Sequence, residues 1–143
     1  MKSFTQLKDL KTVLVEDDAM IRNALSMAFK NKDCFLRVCK NAQQGLQALK
    51  EEPFDIIICD FRLPDMNGLE FFKLVDNHPP HILKILISAY DSEKLSSELS
   101  QVGVHAFIPK PFSLKQLIHI LVHLVEVNQK NQRRCVQSDS LAV

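Results

Sequence analysis

The chain has 143 residues, 46% of them hydrophobic and 24% charged, which is enough to bury the core of one globular domain without disulfide staples. Lys and Arg number 18 against 17 Asp and Glu, and the resulting net charge of +1 gives no direct nucleic acid or membrane surface as a partner. No apolar run approaches the ~20 residues that span a bilayer, the opening MKSFTQLKDLK lacks a signal peptide's apolar stretch, and the four cysteines show neither a CxxC pair nor a zinc-ligand spacing, so a cytoplasmic protein with reduced thiols is expected.

Residues 1–10 form a short polar lead. Residues 12–15 (TVLV) are a compact apolar run that predicts a buried strand, and the run ends in three acids, Glu16, Asp17 and Asp18. Residues 19–30 carry Ile21, Leu25, Ala28 and Phe29 at helical spacing, with Asp18 placed to cap the helix. A second strand is predicted over 34–39 and a second helix over 42–50, with Leu46 and Leu49 on one side. Pro53 then separates that helix from FDIIICD, residues 54–60. This β-branched run, closed by Pro64 and Gly68, predicts a strand buried on both faces, with Cys59 packed as a small apolar residue and Asp60 at the carboxyl end. A third helix follows over 69–76, with Phe72 and Val75 as its apolar edge.

His78 and His81 flank Pro79 and Pro80 and lack a third ligand, which favours a solvated loop over a metal site. Residues 85–88 (ILIS) predict a fourth strand ending in a hydroxyl. Asp91 or Ser92 can cap the next helix, whose Leu95, Leu99 and Val102 make a single buried stripe that stops at Gly103. Residues 104–108 predict a fifth strand, and Lys110 stands just beyond it between Pro109 and Pro111. The last helix is predicted over 113–127. Leu114, Leu117, Ile118, Leu121, Leu124 and Val125 face inward, and Ile120 and Val127 widen the apolar arc. His119 and His123 stand four apart on the polar face, a spacing that can bind zinc but lacks the rest of a site. Residues 128–143 read as a frayed helix end or a polar tail or linker that holds Cys135, an exposed thiol on this reading.

Five strands alternating with five helices predict a parallel sheet covered on both faces, a doubly wound α/β domain over residues 11–127. Parallel strands put every carboxyl end on one edge, where such folds form their sites. That edge collects Glu16, Asp17, Asp60, Ser88 and Lys110. Three carboxylates held close together repel one another and call for a cation or bound protons. Oxygen-only donors favour a hard ion such as Mg²⁺, which leaves positions open to a phosphate oxygen. A carboxylate can itself accept a phosphoryl group. Ser88 can donate a hydrogen bond to that group and Lys110 can neutralise its charge.

With these residues in place, the chain resembles the response regulator receiver domain of two-component signal transduction, of the single-domain chemotaxis type. The resemblance is carried by VLVEDDAMIR, AQQGLQAL, DIIICDFRLPDMNG, ILISA and FIPKPF, and runs from about Lys11 to Val127. It implies a flavodoxin-like fold with strand order 2-1-3-4-5 and a phosphoacceptor switch in which Asp60 takes phosphoryl from a sensor histidine kinase or phosphotransfer protein. It further implies that Asp17, Asp60 and the backbone carbonyl of Arg62 ligate Mg²⁺, with Glu16 acting mainly through a bound water. Arg22 sets the register that selects Glu16 and Asp17 as the acid pair, leaving Asp18 outside it.

By the same resemblance, Lys110-Pro111 is a candidate cis peptide, and Ser88 and Phe107 form the switch pair that reports phosphorylation. Phosphorylation would change the surface of helix four, strand five and helix five, a surface open to homodimerisation or a downstream partner. Arg62 and Tyr90 would overhang the phosphoryl group and slow its hydrolysis. The alternative is a phosphate-independent pseudo-receiver acting as an interaction module, but such domains usually lose an acid or the lysine, and here all five site residues are present. A haloacid-dehalogenase-type phosphohydrolase needs a second acid two residues past its nucleophile. Arg62 occupies that position.

Overall fold

The computed structural model describes residues 4–75, 82–89 and 92–141; His78, His81, Tyr90 and Asp91 lie outside the described residues, as does the side chain of Cys135. Five strands, β1 (Lys11–Val15), β2 (Phe35–Cys39), β3 (Ile56–Asp60), β4 (Leu83–Ser88) and β5 (Ala106–Pro109), form one sheet in the order β2-β1-β3-β4-β5, with every pairing parallel. The helices are α1 (Ala19–Asn31), α2 (Ala42–Glu51), α3 (Gly68–Leu74), α4 (Ser92–Gln101) and α5 (Leu114–Leu141). This is the doubly wound arrangement expected from the alternation of apolar runs and helical stripes, in the flavodoxin-like strand order that the family resemblance implies.

Because side chains alternate along a strand, each strand feeds two cores. Ile56, Ile58, Ile85 and Ile87 pack with Leu25 and Phe29 of α1 and with Leu117, Leu121 and Val125 of α5. Ile57, Cys59 and Leu86 face the other way, toward Phe71 and Phe72 of α3 and Ala42 and Ala48 of α2. The apolar residues of β3 are fully buried, as a central parallel strand covered on both faces requires.

Several details depart from the sequence reading. Phe4–Leu7 in the polar lead forms a 3₁₀ turn; Leu7 is buried and Phe4 meets Phe29 edge-on, with ring centroids 5.3 Å apart. β3 starts at Ile56, although Phe54 is also buried. β4 starts at Leu83, before the predicted run, because Lys84 is buried inside the strand. The last helix runs to Leu141 and does not stop near Val127; its polar continuation contains helix-forming Gln, Lys and Arg and neither Gly nor Pro. On that helix Val122 is fully buried, whereas Leu114 is 40% exposed because its turn lies past the end of the core.

Candidate functional site

Strand register assembles the site. Val15 on β1 pairs with Cys59 on β3, so Glu16 and Asp17 leave their strand beside Asp60. Asp60 in turn pairs with Ile87, which sets Ser88 one residue farther along β4. Ser88 pairs with Pro109, and the Lys110 backbone N–H donates to the Ser88 carbonyl at 2.9 Å. Residues far apart in sequence thus meet at one edge. The Lys110 ammonium bridges two of the acids, donating to Glu16 Oε1 at 2.9 Å and Asp60 Oδ2 at 3.0 Å.

Glu16, Asp60 and Ser88 are buried, while Asp17 is exposed. A cavity of about 580 Å³ opens over them, lined by Asp17, Asp18, Asp60, Arg62, Ser88, Ala89 and Lys110. Glu16, Asp17 and Asp60 each place a carboxylate oxygen within 4.8 Å of the others. Burial, followed by the neighbouring Asp60 carboxylate, pushes the Glu16 carboxyl up to about 8 against the opposing pull of Lys110. Burial draws the Lys110 ammonium down, but its contacts with Glu16 and Asp60 outweigh that and hold it above the ordinary lysine value. Among the described residues Glu16 Oε2 is buried with no hydrogen-bond partner. Oxygen-only donors, excess negative charge and one unsatisfied carboxylate oxygen together fit a hard divalent cation such as Mg²⁺.

The three consecutive acids after β1 divide as their surroundings dictate. Asp18 accepts from the backbone N–H groups of Met20 at 2.8 Å and Ile21 at 3.4 Å, which makes it the N-cap of α1. Arg22 Nη1 donates to the Glu16 carbonyl at 2.9 Å and fixes the turn that presents Glu16 and Asp17. Phe107 pairs with Leu86 and packs, partly buried, against the α2–α3 side of the sheet. Arg62 is exposed at the cavity rim, and the Lys110-Pro111 peptide is cis.

Two positions that hold the site were not assigned that work from sequence. Gly68 lies so close to β3 that a Cβ there would come within 2.7 Å of both the Asp60 carbonyl oxygen and Leu86 Cδ1; its N–H donates to the Phe61 carbonyl at 2.7 Å. Asp65 accepts from the N–H groups of Ala42 at 3.0 Å and Gln43 at 2.9 Å, tying the loop after Asp60 to the start of α2. Pro64 and Gly68 mark the close of the β3 run in the sequence, but only the fold reveals what the following loop touches.

Comparison with known proteins gives the same picture. The family described as response regulator receiver domain matches residues 12–122. The DNA-binding transcriptional regulator NtrC of Proteus hauseri is 29% identical over 122 residues, covering 82% of this chain and 26% of that protein. The hydrogenase transcriptional regulatory protein HoxA of Cupriavidus necator is 31% identical over 120 residues, covering 83% and 25%. The chain therefore spans about a quarter of the length of these curated relatives. Among solved structures, a CheY-like receiver domain protein from Methanospirillum hungatei superposes with a TM-score of 0.78 at 26% identity, covering 85% of this chain and 98% of that one. The chemotaxis response regulator CheY4 of Vibrio cholerae superposes with a TM-score of 0.73 at 24% identity, covering 80% and 98%, a likeness of fold. Among the described residues no helix is long and apolar enough to cross a membrane.

Proposed function

We propose that this chain, which belongs to the response regulator receiver domain family, is a phosphoacceptor switch that takes phosphoryl from a sensor histidine kinase or phosphotransfer protein onto Asp60. The observation that carries this reading is the Lys110 ammonium bridging buried Glu16 and Asp60 at the mouth of a cavity shared with Ser88. An Asp60 carboxylate oxygen attacks phosphorus, the P–N bond to a phosphohistidine breaks, and an acyl phosphate forms on Asp60. Lys110 supplies positive charge to the transferring oxygens, and the Ser88 hydroxyl donates to them. Glu16, Asp17, Asp60 and the Arg62 carbonyl are the groups to hold Mg²⁺, Glu16 mainly through a bound water. Bound there, Mg²⁺ would supply positive charge to offset that of the phosphoryl oxygens.

The new charge on Asp60 draws Ser88 inward and lets Phe107 follow, shifting the population of states at the α4, β5 and α5 surface. That surface is the proposed contact for a homodimer or a downstream partner. Residues 11–127 form the receiver unit and residues 128–143 a polar tail or linker, in a cytoplasmic protein. Arg62, exposed at the rim, and Tyr90 slow the attack of water on the phospho-Asp60 product.

Intact mass after incubation with Mg²⁺ and acetyl phosphate tests the reading. One phosphoryl adduct is expected, absent without Mg²⁺ and absent in Asp60→Asn. No adduct together with no Mg²⁺ binding would reject the switch in favour of an interaction module. Replacing Arg62 and Tyr90 with alanine should shorten the lifetime of the adduct; an unchanged half-life would remove their shielding role.

A further inference from the structure

Lys84 sits at the opposite end of β4 from Ser88 and is the only lysine among the buried residues described. Strand alternation aims it to the same side as Leu86, toward α3 and α4. Its ammonium reaches the Val102 carbonyl at 3.4 Å, immediately after the last residue of α4. A cation is favoured there, because the final carbonyls of a helix carry partial negative charge. Burial works against that charge and draws the Lys84 amine below the ordinary lysine value.

A cavity of about 500 Å³ adjoins the amine. Phe72, Val75 and Ile82 form its buried apolar wall, and the exposed residues Lys73, Gln101 and His105 line its mouth. His105 is fixed in that position, because its Nδ1 accepts from the Lys84 backbone N–H at 3.0 Å. Lys84 is therefore a buried lysine in the wall of a cavity. The chemistry also favours one kind of product. An amide at this nitrogen removes a charge that burial penalises, yet keeps one N–H to donate to Val102; a carbamate would put an anion against the helix's carbonyl end.

We propose that Lys84 is a modification site that takes a small acyl group from a thioester. The amine lone pair attacks the thioester carbonyl carbon, the tetrahedral adduct expels the thiolate, and the amine's lost proton leaves with it as a thiol. The acyl methyl is then placed against the apolar wall, and the amide N–H retains the contact with the end of α4. The site lies at the opposite end of β4 from Ser88.

Limited labelling of the intact wild-type chain with a small acetyl thioester, followed by proteolysis and mass spectrometry, gives an initial rate for every lysine. At pH 7 Lys84 should react at least about threefold faster than exposed Lys30 and Lys50, in line with a larger neutral fraction of its amine, and the advantage should disappear in urea. Any smaller advantage in the native chain, or an equal advantage in urea, overturns the proposal. The readout needs neither Mg²⁺ nor phosphate, so it fails or succeeds independently of the phosphoacceptor reading.

Discussion

Two clusters of charged residues border this sheet, and they behave in opposite ways. Beside the end of α2, Lys11 pairs with Glu52, and Arg37 pairs with Glu51 at 2.6 Å and with Glu52 at 2.8 Å. Two cations meet two acids, and hydrogen bonds from Arg37 and Lys11 hold Glu51 and Glu52 below the usual carboxylate range. Lys11 also lies over the Phe35 ring at 4.7 Å, which anchors edge strand β2. At the carboxyl edge one ammonium bridges Glu16 and Asp60 while Asp17 stands close by, and Glu16 is driven up to about 8. The same residue types produce a structural clasp where charge balances and, where it does not, the cluster for which a cation site is proposed.

The largest test of that contrast is Lys110→Met. It leaves two buried carboxylates without their shared cation, so unfolding free energy without Mg²⁺ should fall by about 3 kcal/mol in chemical denaturation; a loss no greater than that of a surface substitution would mean the ammonium does not hold the site together. The pH dependence comes next. Because the Glu16 carboxyl is raised, the folded state holds more protons than the unfolded chain between about 4.5 and 8. Its contribution is therefore complete below pH 4.5 and is lost as pH rises toward 8. Metal-free thermal stability should decline across that window, Mg²⁺ should flatten the decline, and Glu16→Gln should raise metal-free stability by about 1 kcal/mol or more.

Smaller effects separate acids that look alike in sequence. Asp18→Ala removes a helix cap and should cost about 1 kcal/mol, while Mg²⁺-dependent phosphorylation proceeds at the wild-type rate. A loss of phosphorylation would place Asp18 in the site. In the balanced cluster the sign reverses: Glu52→Gln should lower the melting temperature slightly, and less at high salt, because those groups are exposed and screened. A rise like that of Glu16→Gln would erase the distinction between the two regions.

Much of this was legible in the sequence because the signals were local. Apolar runs ending in Glu16, Asp60 and Ser88 announced buried parallel strands, and parallel strands alone bring those ends together. What escaped depended on contacts between distant segments. Leu7 and Phe4 sit in a polar stretch and become core only against α1 and α5. Lys84 interrupted an apolar run, so the start of β4 was placed after it, yet the strand continues through it. In the sequence Gly68 only closes the β3 run; its closeness to the Asp60 carbonyl, which sets a steric limit, is visible in the fold alone. Val122 and Leu114 exchanged roles on α5 because helical spacing gives a face but not the point along the helix at which the core ends.

The central claim is that uncompensated carboxylates at the carboxyl edge form a cation site, and Mg²⁺ titration of the unphosphorylated chain by calorimetry tests it most directly. One ion per chain is predicted, with binding abolished by Asp17→Asn and unaffected by Glu52→Gln. The absence of binding in the wild type, or undiminished binding in Asp17→Asn, would contradict the account.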